Sequence, residues 1–325
     1  MKTPLPLFFS YPDAEQLLKA LSQSLRVKYS SELARLEQLK LPPLVSWSVL
    51  SVAIGVSPQF ITSLIKNKSK YYRVFSISKG KGKKKRTIEA PKVGLKIIQA
   101  WIAHHLSINT FLDISDSAYA FIPGKNGIYQ AAKKHCNSKW VLSIDLKDFF
   151  HTITLDKVIL ALIDIGYHAE QASKLAEILT LNQRLPQGAP SSPVISNLVF
   201  KSTDACINEF IVEDNISYTR YADDLIFSGV NEDFDIDSLK DNIIVLLQSK
   251  GWIIAEEKLH IAKVPNRLKV HGFLVHGNKP RLTKGYRNKI RAYNHLLHAG
   301  RISEKDIDRI KGHVSYSAFI DSLND

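Results

Sequence analysis

The stretch Thr219-Arg220-Tyr221-Ala222-Asp223-Asp224-Leu225-Ile226-Phe227-Ser228 places two adjacent carboxylates directly before an apolar run. Leu225 to Phe227 has the composition of the returning strand of a hairpin, with Ala222 to Asp224 at the turn, where Asp tolerates unusual backbone angles. That arrangement presents both carboxylates at a hairpin tip. An isolated Asp-Asp pair is usually an ordinary polar turn. The reading therefore depends on whether the chain supplies another carboxylate and a loop to hold a substrate.

Working outward, Trp140-Val141-Leu142-Ser143-Ile144-Asp145-Leu146-Lys147-Asp148-Phe149-Phe150 reads as a buried strand whose apolar run ends at Asp145, where such a strand reaches solvent. Leu185-Pro186-Gln187-Gly188-Ala189-Pro190-Ser191-Ser192-Pro193 is a constrained polar loop opening onto an expected helix from Val194 to Phe210. Helices are also expected over Leu155 to Ile165 and Ala169 to Leu181, with Gly166 as the break, and over Ser238 to Lys250. Gly251-Trp252-Ile253-Ile254 is expected to begin a strand, and Val270 to Val275 to form another.

Toward the N-terminus the pattern from Tyr11 to about Leu41 is helical, ending at Pro42-Pro43. Trp47 to Ile65 reads as helix, Gly-Val-Ser turn and second helix, with Ser57 as N-cap and Pro58 at the first helical position. This resembles a helix-turn-helix, and it makes a DNA-binding regulator a competing reading. Against it, Pro58 to Lys66 is apolar and short of base-reading side chains, so a packing role is favoured. Tyr71 to Ser78 and Thr87 to Pro91 are extended, and Lys79-Gly80-Lys81-Gly82-Lys83-Lys84-Lys85-Arg86 between them is either a phosphate-gripping tip or a solvated loop. An amphipathic helix follows from Lys92 to about Leu106. After Lys279 the chain becomes basic and aromatic, with Arg281, Lys284, Tyr286, Arg287, Lys289, Arg291 and Tyr293.

In the 325 residues, 44 Lys plus Arg against 31 Asp plus Glu give a formal net charge of +13, which implies a polyanionic partner. Nucleic acid comes first and an acidic membrane surface second. The 2 Cys, Cys136 and Cys206, lack the paired spacing of a zinc site. No apolar run approaches the roughly 20 residues of a membrane span, and Leu5 to Phe9 is too short for a signal-peptide core. The expectation is a soluble, cytoplasmic protein with no membrane partner.

Asp145 and the Asp223-Asp224 pair end separate strands, so neighbouring strands would bring three carboxylates together. Converging carboxylates repel unless divalent cations neutralise them, and hard oxygen ligands favour Mg²⁺. Two such ions about 3.5–4 Å apart stabilise the attacking and leaving oxygens of a phosphoryl displacement.

These segments, in this order, resemble motifs A, B and C of reverse transcriptases: Asp145 in its apolar strand, Leu185 to Pro193, and Tyr221-Ala222-Asp223-Asp224. Arg86-Thr87-Ile88 with Pro91 resembles the fingers motif, Glu257-Lys258 motif D, and Val270-His271-Gly272 the primer-gripping segment, so the resemblance spans roughly Tyr71 to Val275. The compact length, the Val-x-Gly and the basic C-terminal segment are similar to the retron group. One departure is Ala131-Ala132-Lys133-Lys134-His135, where retron enzymes typically carry Asn-Ala-x-x-His.

The resemblance implies an α+β right-hand polymerase fold: a helical N-terminal extension (1–70), fingers (71–137), a palm (138–275, with a fingers insertion about 155–195) and a basic thumb (276–325). It implies Asp145, Asp223 and Asp224 as catalytic metal-binding acids, the Leu146 carbonyl as a further ligand, and two Mg²⁺ ions. It implies Phe150 as the steric gate against a ribose 2′-hydroxyl, Gln187 and Gly188 lining the nucleotide pocket, Arg86 on the triphosphate, and Lys258 beside the departing pyrophosphate. The expected partners are dNTPs, a cognate structured noncoding RNA, its branched msDNA product and a defence effector. The alternatives are another bacterial reverse transcriptase, from a group II intron, diversity-generating or abortive-infection lineage, and the helix-turn-helix binder.

Overall fold

The structure is a computed structural model describing residues 11, 13–78, 80, 85–109, 114–124 and 127–324. Leu5 to Phe9, and Lys79 with residues 81–84 of the basic loop, lie outside the described residues. The N-terminal helical stretch is two helices, α1 (Ala14–Ala20) and α2 (Gln23–Gln38), parted at Leu21-Ser22. Asp13 caps α1 by accepting the Gln16 amide at 2.7 Å.

The segment similar to a helix-turn-helix is α3 (Trp47–Ile54) and α4 (Pro58–Lys66), bent by 116° at the Gly55-Val56-Ser57 break. Ser57 accepts the Phe60 amide at 3.1 Å, as its N-cap position requires. Ile61 and Leu64 of α4 are buried in the same hydrophobic core as Trp101, Leu175 and Ile178. The packing role is the one observed. Tyr167 donates to the Pro42 carbonyl at 2.9 Å, and Gln171 to Glu32 at 2.8 Å, tying these N-terminal helices to the middle of the chain.

A two-stranded hairpin follows, β1 (Tyr72–Ile77) with β2 (Arg86–Pro91), then α5 (Val93–Asn109) and α6 (Gly127–Lys134). Next come β3 (Trp140–Asp145), α7 (Phe149–Thr152), α8 (Leu155–Asp164), α9 (Ala169–Leu179) and α10 (Ser192–Ile211). The hairpin β4 (Ser217–Tyr221) and β5 (Asp224–Gly229), α11 (Ile236–Ser249) and β6 (His260–Lys263) complete a four-stranded antiparallel sheet of order β4-β5-β3-β6.

Both faces of this sheet are covered. Leu142, Ile144, Leu225 and Phe227 pack into the main core with Phe200, Ile207, Ile243 and Leu247. Val141 and Ile226, one register position away, join a second cluster with Tyr129, Val270 and Phe273. Burial on both sides explains why β3 reads as a continuous apolar run rather than an alternating one. Each large apolar side chain so buried contributes about 1.5–3 kcal/mol.

Two expected strands are corrected. Gly251 to Ile254 is not a strand: its end runs antiparallel beside the end of β3 for a single bridge, where Lys147 donates to the Ile253 carbonyl and Ala255 to that of Asp145. Ile254 makes an isolated bridge to Leu146, and the strand begins later, at His260. Val270 to Val275 is a hairpin, β7 (Lys269–Val270) and β8 (Phe273–Leu274), because His271 and Gly272 adopt φ of +47° and +88° and reverse the chain. β9 (Arg281–Leu282) joins β8, and α12 (Lys284–His298) and α13 (Glu304–Ser322) follow. Tyr129 donates to the Leu323 carbonyl at 3.0 Å, docking the C-terminal pair beside α6. Among the described residues no single helix is long and apolar enough to cross a membrane.

Candidate active site

β3 pairs with β5 so that Asp145 lies directly opposite Asp224, and Tyr221 pairs with Asp224 across the β4–β5 turn. That leaves Ala222 and Asp223 as the turn itself. Ala222 has φ +59°, a conformation uncommon for a side-chain-bearing residue, and Asp223 does not share it. The Leu146 amide donates to the Asp223 carbonyl at 2.9 Å, fastening the turn to the chain just past Asp145. Asp145, Leu146, Asp223 and Asp224 are thus gathered at one end of the sheet.

Beneath the turn lies a network that the sequence reading missed. Arg220 and Asp204 are both fully buried and paired at 2.8 Å. Arg220 also donates to the side-chain carbonyl of Asn197 at 3.1 Å, and Tyr218 donates to Asp204 at 2.7 Å. The Ala222 carbonyl accepts from Arg220 at 3.4 Å, so the network reaches the tip. Arg next to the tip, and Asp within an apolar helix, were the available signals. His135 acts similarly from the turn directly after α6: its ring nitrogens meet Ser228 Oγ at 2.8 Å and Thr219 Oγ1 at 2.7 Å, one hydroxyl on each hairpin strand. Burial, aided by nearby His271, pushes its pKa down to about 3 and keeps it neutral.

The acids carry partners. Lys258 Nζ lies 2.5 Å from Asp145 Oδ1, and His271 Nδ1 lies 3.2 Å from Asp224 Oδ2, its ring centroid 5.4 Å from that of Tyr221. Burial raises the Asp145 pKa; the Lys258 hydrogen bond opposes this, and the charges of Asp223 and Asp224 add to it. Burial alone would lower Lys258, but the hydrogen bond and charge of Asp145 outweigh it and the ammonium is raised. Among the described residues no three His, Cys, Asp or Glu side chains are already set in coordinating geometry. The donor set nevertheless fits a hard divalent cation: carboxylate oxygens at one sheet end, with negative charge that one ammonium leaves undercompensated.

The remaining expected residues form a second group around β2. The Glu89 amide donates to the Gln187 carbonyl at 2.8 Å. Gly188 has φ +132°, and a Cβ there would meet Ile88 Cγ2 at 2.8 Å and the Glu89 carbonyl at 3.1 Å. Its small size therefore serves an approach of the loop to β2. Arg86 opens β2 with its side chain exposed. Phe150, on α7, is half-buried, its ring 5.4 Å from Phe149 and 6.5 Å from Phe121. Joining these parts is buried Glu89, which accepts from Arg184 at 3.0 and 3.1 Å and lies 3.3 Å from His151 Nε2. The sequence gives none of these three a site role.

A family model described as reverse transcriptase (RNA-dependent DNA polymerase) matches residues 77–277. The chain is 31% identical over 291 residues to the retron Ec86 reverse transcriptase of Escherichia coli, covering 89% of this chain and 88% of that protein. It is 29% identical to the retron Mx65 reverse transcriptase of Myxococcus xanthus, over 85% of this chain and 67% of that one. Its identity to the retron Ec83 reverse transcriptase of Escherichia coli is 31%, over 82% and 90%.

Proposed function

The chain belongs to the reverse transcriptase family as a retron RNA-directed DNA polymerase, and from that premise we propose that the acids at the end of β3 and the β4–β5 turn are its polymerase centre, working on dNTPs with two Mg²⁺ ions. The observation that carries this reading is the register: Asp145 opposite Asp224, with the Leu146 amide on the Asp223 carbonyl. The enzyme takes an RNA template, and its family uses divalent metal.

Asp145 and Asp223 are the direct metal ligands in this reading, Asp224 completes the acidic cluster, and the Leu146 carbonyl is a further ligand. Held by these residues, divalent cations would supply Lewis-acid activation of a primer hydroxyl and charge neutralisation at a leaving pyrophosphate. In the reaction the primer oxygen bonds to the α-phosphorus, the bond to the bridging oxygen of the pyrophosphate breaks, and the hydroxyl proton passes to solvent. Lys258 Nζ, held at the site by Asp145, gives a proton to the leaving oxygen. Phe150 excludes a 2′-hydroxyl, Gln187 and Gly188 shape the pocket, and Arg86 binds triphosphate oxygens in the bidentate manner suited to guanidinium.

The reading divides the chain into the N-terminal extension, fingers, palm and thumb at the boundaries expected from sequence. It makes the template a cognate structured noncoding RNA that also primes, from a guanosine 2′-hydroxyl, to give branched msDNA in the bacterial cytoplasm. It assigns the system, with an effector protein, to phage defence. Relatives named as retron reverse transcriptases support this reading. Sequencing the nucleic acid that co-purifies with the protein tests it. A discrete RNA–DNA species that survives denaturing strand separation is expected; heterogeneous RNA alone would count against the branched product.

A further inference from the structure

We propose that Glu89, Arg184 and His151 form a clasp that sets the width of the nucleotide pocket and thereby its discrimination between deoxy- and ribonucleotides. The clasp rests on the gate reading of Phe150. Glu89 lies on β2, the strand that Arg86 opens, and is 5% exposed. Arg184, just before the Leu185 to Pro193 loop, places Nη1 and Nη2 at 3.1 and 3.0 Å from its two carboxylate oxygens. His151 Nε2, next in sequence to Phe150, lies 3.3 Å from Glu89 Oε2. The Glu89 backbone holds the same loop by donating to the Gln187 carbonyl at 2.8 Å.

One residue thus fastens three separate elements: the strand of the proposed triphosphate arginine, the loop of the proposed pocket, and the helix of the proposed gate. The geometry is directional. A guanidinium fork on a carboxylate fixes both distance and plane, unlike a point charge. His151 is lowered by burial and by the charge of Arg184, and as a neutral ring it has one N–H to give. Donating it to Glu89 fixes the tautomer and the ring. The gate helix α7 has 4 residues, too few to hold its own position. Phe150 is therefore placed by what fastens α7. At a reacting centre a shift of about 1 Å costs up to about 100-fold.

The test is single-nucleotide incorporation with dNTP and the matching rNTP on a primed RNA, together with RNA affinity, for wild type, Phe150→Ala, Glu89→Gln, Arg184→Lys and Glu89→Gln/Arg184→Lys. Each clasp variant is expected to raise the KM for dNTP and narrow the dNTP-to-rNTP preference by about tenfold with RNA affinity unchanged. The double variant should be no worse than Glu89→Gln, because both break one unit. Arg184→Lys keeps the charge and loses the fork, so it carries the test should Glu89→Gln fail to fold. A relaxed ratio in Phe150→Ala with an unchanged ratio in the folded clasp variants overturns the clasp alone. An unchanged ratio in Phe150→Ala removes the gate reading and the clasp with it.

Discussion

Lys258 Nζ lies 2.5 Å from Asp145 Oδ1, bringing an ammonium from beyond the β4–β5 hairpin to the carboxylate that ends β3. The ammonium only partly offsets the burial and the charges of Asp223 and Asp224, since Asp145 remains raised. Ionised Asp145 therefore costs stability in the metal-free fold.

Asp145→Asn is expected to raise the melting temperature of the metal-free protein while abolishing polymerisation, the trade-off of a site built for function rather than stability. Added Mg²⁺ should raise the wild-type melting temperature by mass action and leave the variant nearly unmoved. Calorimetry with and without Mg²⁺ checks both; equal Mg²⁺ responses would remove Asp145 from the ligand set.

The fully buried Arg220–Asp204 pair predicts an asymmetric result. Asp204→Leu alone leaves a buried guanidinium uncompensated and should cost about 3–5 kcal/mol in urea unfolding. Asp204→Leu/Arg220→Met should recover much of that stability, and its loss of activity would then report on the Ala222 contact.

His135 makes acid stability a readout of the hairpin. Its folded pKa of about 3 lies below the unfolded value of about 6.5, so between those values the unfolded state binds the extra proton. Stability should be complete above about pH 6.5 and decline as pH falls toward 3. His135→Gln should flatten that part of the profile while lowering stability at neutral pH. An unchanged slope would show that His135 is not buried as a neutral ring.

Gly188→Ala places a Cβ 3.1 Å from the Glu89 carbonyl, at φ +132°. The strain should cost about 1–3 kcal/mol and raise the KM for dNTP, measured by denaturation and steady-state kinetics. Wild-type values would show that the loop does not depend on its approach to β2.

The acidic strand end was legible because β3 and β5 carry their acids where apolar runs stop, and a hairpin places such ends together. α4 was legible from Ser57 and Pro58, which mark its start. What escaped was set by contacts distant in sequence. Glu89 and Arg184 meet across the chain, and Arg220 finds Asp204 on α10; neither pair has a spacing rule. The strand expected at Gly251 to Ile254 failed for a related reason. Trp252 and Ile254 pack into the main core while Ile253 stays exposed, and the ladder contact is a single bridge from Ile254 to Leu146, so composition alone could not separate this from a strand.

The central claim, that these carboxylates perform polymerisation, is tested most directly by extending a primed RNA template with dNTPs and Mg²⁺. Wild type should extend the primer. Asp223→Asn/Asp224→Asn should bind the same RNA with unchanged affinity and lose extension by more than the roughly 10–100-fold that indirect partners of a metal site are worth. Extension by the double variant at the wild-type rate would contradict the account.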